Sequence, residues 1–130
     1  MQRFAPLALA LAAWLAAPGA AAQAAAPYEI EVVQRIAQCL AQGAPEDWLR
    51  IYMIVELENP GDATGGVRYL ASRESAPDKP EPFTPCDLRG PALAVLGVRE
   101  HQAPDKARWT GARIVLLRDG SFSLGYDFPQ

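Results

Sequence analysis

Along residues 49–58 the chain alternates without a break. Leu49, Ile51, Met53, Val55 and Leu57 fall on one side; Arg50, Tyr52, Ile54, Glu56 and Glu58 fall on the other. Successive side chains of an extended backbone point to opposite faces, so this segment reads as a strand with one wholly apolar face. An apolar face of that length has to be covered, which calls for a sheet with a second layer packed on one side. Residues 59–66, Asn-Pro-Gly-Asp-Ala-Thr-Gly-Gly, are rich in residues that turn a chain. Residues 67–73 then read as a second strand, antiparallel to the first.

The covering layer is also legible. Over residues 28–42, Ile30, Val33, Ile36, Ala37 and Leu40 recur at helical spacing, and Gly43 ends the run. Residues 75–85 hold Pro77, Pro80, Pro82 and Pro85. That density predicts a proline-rich loop with at most a short edge strand around Phe83. Pro91 suits the first turn of a second helix, expected over 91–102 with Leu93, Ala94, Leu96 and Val98 apolar and Gly97 a weak point. Residues 109–118 and 121–128 read as a hairpin about Asp119-Gly120. In its second strand Phe122, Leu124, Tyr126 and Phe128 share a face. The expected fold is therefore α+β: a four- to five-stranded antiparallel sheet with two helices packed on one face, in the order α-β-β-α-β-β.

The first 24 residues are a different kind of segment. Arg3 supplies a positive start, residues 4–17 are uncharged and apolar, Pro18-Gly19 breaks the run, and two A-x-A frames follow at Ala20–Ala22 and Ala22–Ala24. These are the three parts of a secretory signal peptide. Half of the stretch is alanine, so it falls short of the roughly 20 strongly apolar residues of a membrane span. No cysteine stands near the cleavage frames, so no lipid anchor is expected. The expectation is a periplasmic or secreted protein of one domain, residues 25–130, without stable membrane insertion. Losing Arg3 leaves 11 basic residues against 15 acidic ones, a net charge near −4. That is the wrong sign for a nucleic-acid binder, which presents a basic stripe.

Two cysteines, Cys39 and Cys86, fit an oxidising compartment, and two allow only one pairing. Antiparallel helices side by side would bring the end of the first helix, at Cys39, to the start of the second, near Cys86. Chemistry is harder to find. His101 is the only histidine, and no G-x-S-x-G, H-E-x-x-H, C-x-x-C or phosphate loop is present. Neither catalysis, a metal nor a cofactor is expected.

The order of motifs is more informative than any one of them. Pro45 and Trp48 precede the first strand. Tyr69 follows in the second, and Trp109-Thr110 leads into an Asp119-Gly120 hairpin ending Tyr126-Asp127-Phe128. With the leading helix, this series resembles the YezG-like immunity proteins of bacterial polymorphic toxin systems over residues 28–128. The resemblance implies a small α+β protein that binds a cognate toxin and blocks it, without catalysis or cofactor. A signal peptide and a cysteine pair depart from that family's usual cytoplasmic form, which leaves two expectations open: a toxin acting in the periplasm, or reuse of the fold for another periplasmic binding task.

Trp48, Trp109, Tyr126 and Phe128 are read as core aromatics, and Asp119-Gly120 as a turn. The partner surface is sought among exposed acids: Glu56 and Glu58 at the end of the first strand and Asp62 in the next loop, which would steer a basic toxin. The alternative function is a periplasmic or secreted small-ligand or adaptor module with no toxin partner.

Overall fold

The computed structural model describes residues 25–130, and the leader assigned to residues 1–24 lies outside the described residues. Helix α1 (Pro27–Gly43) comes first. Proline suits its opening turn, where an N–H would have no partner. The Ala26 N–H donates to Glu29 Oε1 at 2.7 Å, satisfying a donor at the helix entrance as in a capping box. The buried stripe is Val33, Ile36 and Leu40. Ile30, expected on that stripe, is exposed. At 3.6 residues per turn it sits about 90° from the stripe's centre. The helix ends at Gly43, where a Cβ would run into the Thr84 carbonyl.

Strands β1 (Trp48–Leu57), β2 (Gly65–Arg73), β3 (Ala76–Pro82), β4 (Gly111–Leu117) and β5 (Phe122–Asp127) form one antiparallel sheet in the order β3-β2-β1-β4-β5. The strand with the strongest alternation, β1, is thus the central one. Its Ile51, Met53 and Val55 are buried. A register shift between Trp48 and Arg50 takes Leu49 out of the alternation and lets Trp48 into the core.

Two expectations need correction. Residues 76–82 are not loop but the edge strand β3, ending just before Phe83. Proline lacks only the donor, and an edge strand bonds on one side, so the prolines are tolerated there. The expected helix over 91–102 is a short α2 (Gly90–Leu96) followed by a 3₁₀ turn (Gly97–His101). The change falls at Gly97. The buried residues are Pro91, Val95 and Val98, while Leu93 is exposed.

Val33, Ile36 and Leu40 of α1 and Val95 of α2 share one core with Ile51, Met53, Val55, Ala112, Ile114 and Leu116. Arg50, Tyr52, Ile54 and Glu56, the other side of β1, take no part in it. Both helices therefore cover the same face, and among the described residues no helix covers the opposite one, although Ser72, opposite Arg50, is buried there. Among the described residues no helix is long and apolar enough to cross a membrane.

Cys39 and Cys86 form a disulfide with Cα atoms 4.9 Å apart. The Cys86 N–H also donates to the Cys39 carbonyl at 3.0 Å. The bond pins the end of α1 to the segment entering α2, where the sequence placed it. The β4–β5 hairpin closes through Gly120 N–H to Leu117 C=O at 3.0 Å and Leu117 N–H to Ser121 C=O at 2.8 Å. Gly120 has φ of 92°, a left-handed conformation that glycine adopts without strain. Asp119 Oδ1 accepts from the Ser121 N–H at 2.9 Å and its hydroxyl at 2.6 Å.

Candidate functional site

The three acids singled out from the sequence do not form one cluster of equivalent groups. Glu56 and Glu58 are exposed at the end of β1. Glu56 is flanked across the sheet by Gly66 and Gly111 and forms no ion pair among the described residues. Asp62 is committed to its own loop. Its carboxylate accepts from Asn59 Nδ2 at 3.5 Å and the Ala63 N–H at 3.0 Å. The Asn59 amide holds that carboxyl below the usual range. Its carbonyl accepts from Arg99 Nη1 at 2.9 Å. Asp62 orders the β1–β2 connection.

The open face of the sheet is a more substantial surface. Residues directly opposite in an antiparallel pair share a face. Tyr52 lies opposite Leu70 and Val115, Ile54 opposite Arg68 and Arg113, and Arg50 opposite Leu117. The face therefore has an apolar centre of Tyr52, Ile54, Leu70 and Val115, with Leu117 beside it. Arg50, Arg68 and Arg113 surround that centre, and Glu56 stands at one end. Arg113 is held by Asp127 through bonds of 3.2 and 3.0 Å. Arg50 and Arg68 form no ion pair among the described residues. The signal for this face was present in the alternation. Tyr52 and Ile54 are too apolar for a strand face that only meets water, but the acids drew the weight of the sequence reading.

The motif aromatics divide. Trp109 is fully buried and Trp48 nearly so, as expected. Trp109 Nε1 donates to Gln102 Oε1 at 2.9 Å, and its ring lies 5.3 Å from that of Tyr126. Arg99 stacks over Trp109 at 4.3 Å and donates to its carbonyl at 3.0 Å. Burial lowers the pKa of that guanidinium, opposed by the charge of Asp62. Arg118 lies 4.8 Å over Trp48 and donates to its carbonyl at 2.9 Å. Tyr69 is buried, and its hydroxyl donates to the Leu88 carbonyl at 2.7 Å. Tyr126 is half-buried, and its hydroxyl donates to Glu29 Oε2 at 2.7 Å. Burial, then the bond to Glu29 and its charge, push that phenol far above its usual pKa. Phe128 departs from the expectation. It is 46 % exposed, because β5 ends at Asp127 opposite Gly111 and Phe128 outruns the sheet.

Phe128 instead helps to line a groove of about 630 Å³. One wall is β5 from Phe122 to Tyr126; the other is Ala25, Ala26, Tyr28 and Glu29 with His101, Gln102, Ala103 and Lys106. Tyr28 and His101 stack at 5.1 Å. Sequence reasoning gave no hint of this groove, which joins residues about 100 positions apart. Both cysteines are in the disulfide, so no thiol stands beside His101. Among the described residues no three His, Cys, Asp or Glu side chains gather as metal ligands.

Compared with the models of known protein families the chain matches none, and none of the curated proteins matches it. The likeness to YezG-like immunity proteins therefore rests on the motif residues alone.

Proposed function

We propose that this chain is an exported immunity-type protein that binds a cognate bacterial toxin and occludes its active surface. The observation that carries the proposal is the open sheet face, with its Tyr52–Ile54 centre and surrounding arginines. Tyrosine and arginine are the residues on which protein interfaces most often depend. A stable complex would bury roughly 1,200–2,000 Å² in total. The disulfide supports export, because such bonds persist outside reducing compartments. Motif order supports the immunity assignment.

The test is a rescue assay. The product of the neighbouring open reading frame is directed to the periplasm of a test bacterium, with and without this protein. Survival that depends on this protein, and is lost with Tyr52→Ala, is the expected result. A harmless neighbour, or one that kills regardless, would remove the immunity reading. The groove beside β5 favours a second reading, a small-ligand or adaptor module, for which a thermal shift with a small-molecule panel is the corresponding test.

A further inference from the structure

We propose that the free edge of β5 is a strand-addition site for an extended peptide segment of a partner protein. The two edges of this sheet are built in opposite ways. Pro77, Pro80 and Pro82 remove donors along β3, and Asp78, Lys79 and Glu81 place charge on it. Natural sheets use both devices to block pairing. The β5 sequence, Phe-Ser-Leu-Gly-Tyr-Asp, has no proline, and its one charge, Asp127, is engaged by Arg113.

The register identifies the free groups. The Leu117 N–H donates to the Ser121 carbonyl at 2.8 Å, which makes these two a hydrogen-bonded pair. Hydrogen-bonded and non-hydrogen-bonded pairs alternate along an antiparallel ladder. Val115–Ser123, Arg113–Gly125 and Gly111–Asp127 are then the bonded pairs. The N–H and C=O groups of Phe122, Leu124 and Tyr126 accordingly point away from β4. Their side chains pack against the core, so the strand is anchored while its edge pairs with no other strand among the described residues.

The groove runs along that same edge, with Tyr28, His101 and Lys106 on the far wall. An edge is normally covered directly by a helix or loop; here a groove of about 630 Å³ lies between β5 and the other lining residues, bridged by the Tyr126–Glu29 hydrogen bond. A single extended strand supplies the donors and acceptors the edge lacks and fits between edge and wall. A second folded copy would have to bring its own wall into the same gap. Lys106 makes no ion pair among the described residues. The fitting segment therefore carries a carboxylate toward Lys106 and apolar residues toward Tyr28 and Phe128. This surface is separate from the open sheet face and does not rest on the toxin reading.

The test uses protein produced from the full 130-residue chain and a displayed library of random eight-residue peptides as probe. Selected peptides should alternate apolar and polar residues and include an acid. Their binding should slow amide exchange at Phe122, Leu124 and Tyr126 by about tenfold or more. Lys106→Glu should weaken them several-fold, and Leu124→Pro, which deletes one edge donor, should abolish binding. Should Leu124→Pro not fold, the exchange pattern of the unaltered protein decides alone. The proposal is overturned if no peptide is selected, or if protection appears on β1 and β2 instead. It is equally overturned if the three amides are already protected in a dimer without peptide. None of these outcomes bears on the rescue assay.

Discussion

Tyr126 joins the last strand to the first helix through one hydroxyl, and that contact sets a pH dependence. Tyr126→Phe keeps the ring against Trp109 and removes only the 2.7 Å bond to Glu29. The expected cost is about 1–2 kcal/mol, read as a lower urea midpoint with unchanged slope. The folded phenol holds its proton well above the usual pKa near 10. Above pH 10 the unfolded chain releases that proton and the folded chain cannot, so the unfolded state gains. Stability from this group is complete below pH 10 and is lost as pH rises beyond it. Tyr126→Phe should flatten the loss between pH 10 and 11, measured by denaturant titration; an unchanged slope would mean that the hydroxyl is ionised as readily as in water. Arg99 is the other residue where one side chain joins distant segments. Its two nitrogens hold the carbonyls of Asp62 and Trp109 while its plane covers the indole. Lysine offers neither the fork nor the plane, so Arg99→Lys should cost roughly 1.5–3 kcal/mol. Faster amide exchange in the 58–64 loop would accompany it.

The element with the most leverage on stability is the disulfide between the end of α1 and the entrance to α2. It closes a loop across a sequence separation of 47, for which chain-entropy arguments give roughly 3–4 kcal/mol. Thermal melts with and without dithiothreitol should differ by more than 10 °C, since about 4–8 °C accompany each kcal/mol in a domain of this size. Cys39→Ser should melt with the reduced protein, and reductant should not move it further. The sequence announced this bond, because two cysteines at the facing ends of two amphipathic helices leave one pairing. It announced β1, β2 and the β4–β5 hairpin through alternation and the Asp119-Gly120 turn, all local signals. It hid β3, because proline density argues against a strand everywhere except at an edge, and edge position is a property of the assembled sheet. Leu93 and Ile30 were misplaced for a related reason. On a short or amphipathic helix several residues lie near the boundary of the buried arc, and the packing partners settle which of them is covered. Phe128 followed the period of β5 but lies beyond its last paired residue.

At the scale of the whole molecule, charge is distributed against the average. The chain carries a net −3, yet among the described residues Arg50 and Arg68 form no ion pair and no helix covers the sheet face they share. Composition could not reveal this, because it depends on which strands neighbour β1, and strand order is not written in any single segment. The acids at Glu56 and Glu58 were visible from the sequence; the arginines opposite and beside Ile54 became a surface only once β2 and β4 flanked β1. The polarity matters for the partner. A face of this kind draws a surface with carboxylates around an apolar anchor, and such attraction acts mainly on the association rate. Arg50→Glu with Arg68→Glu should leave circular dichroism and melting nearly unchanged, since neither group supports the fold through an ion pair. In stopped-flow mixing with the partner identified by the rescue assay proposed above, the double variant should associate about tenfold or more slowly. Raising salt should slow association of the unaltered protein, because screening weakens the attraction, whereas it should speed or leave unchanged that of the reversed variant. Glu56→Lys with Glu58→Lys is the contrasting pair. Should those substitutions slow association and the arginine reversals not, the partner is basic and docks at the end of β1 rather than across its centre.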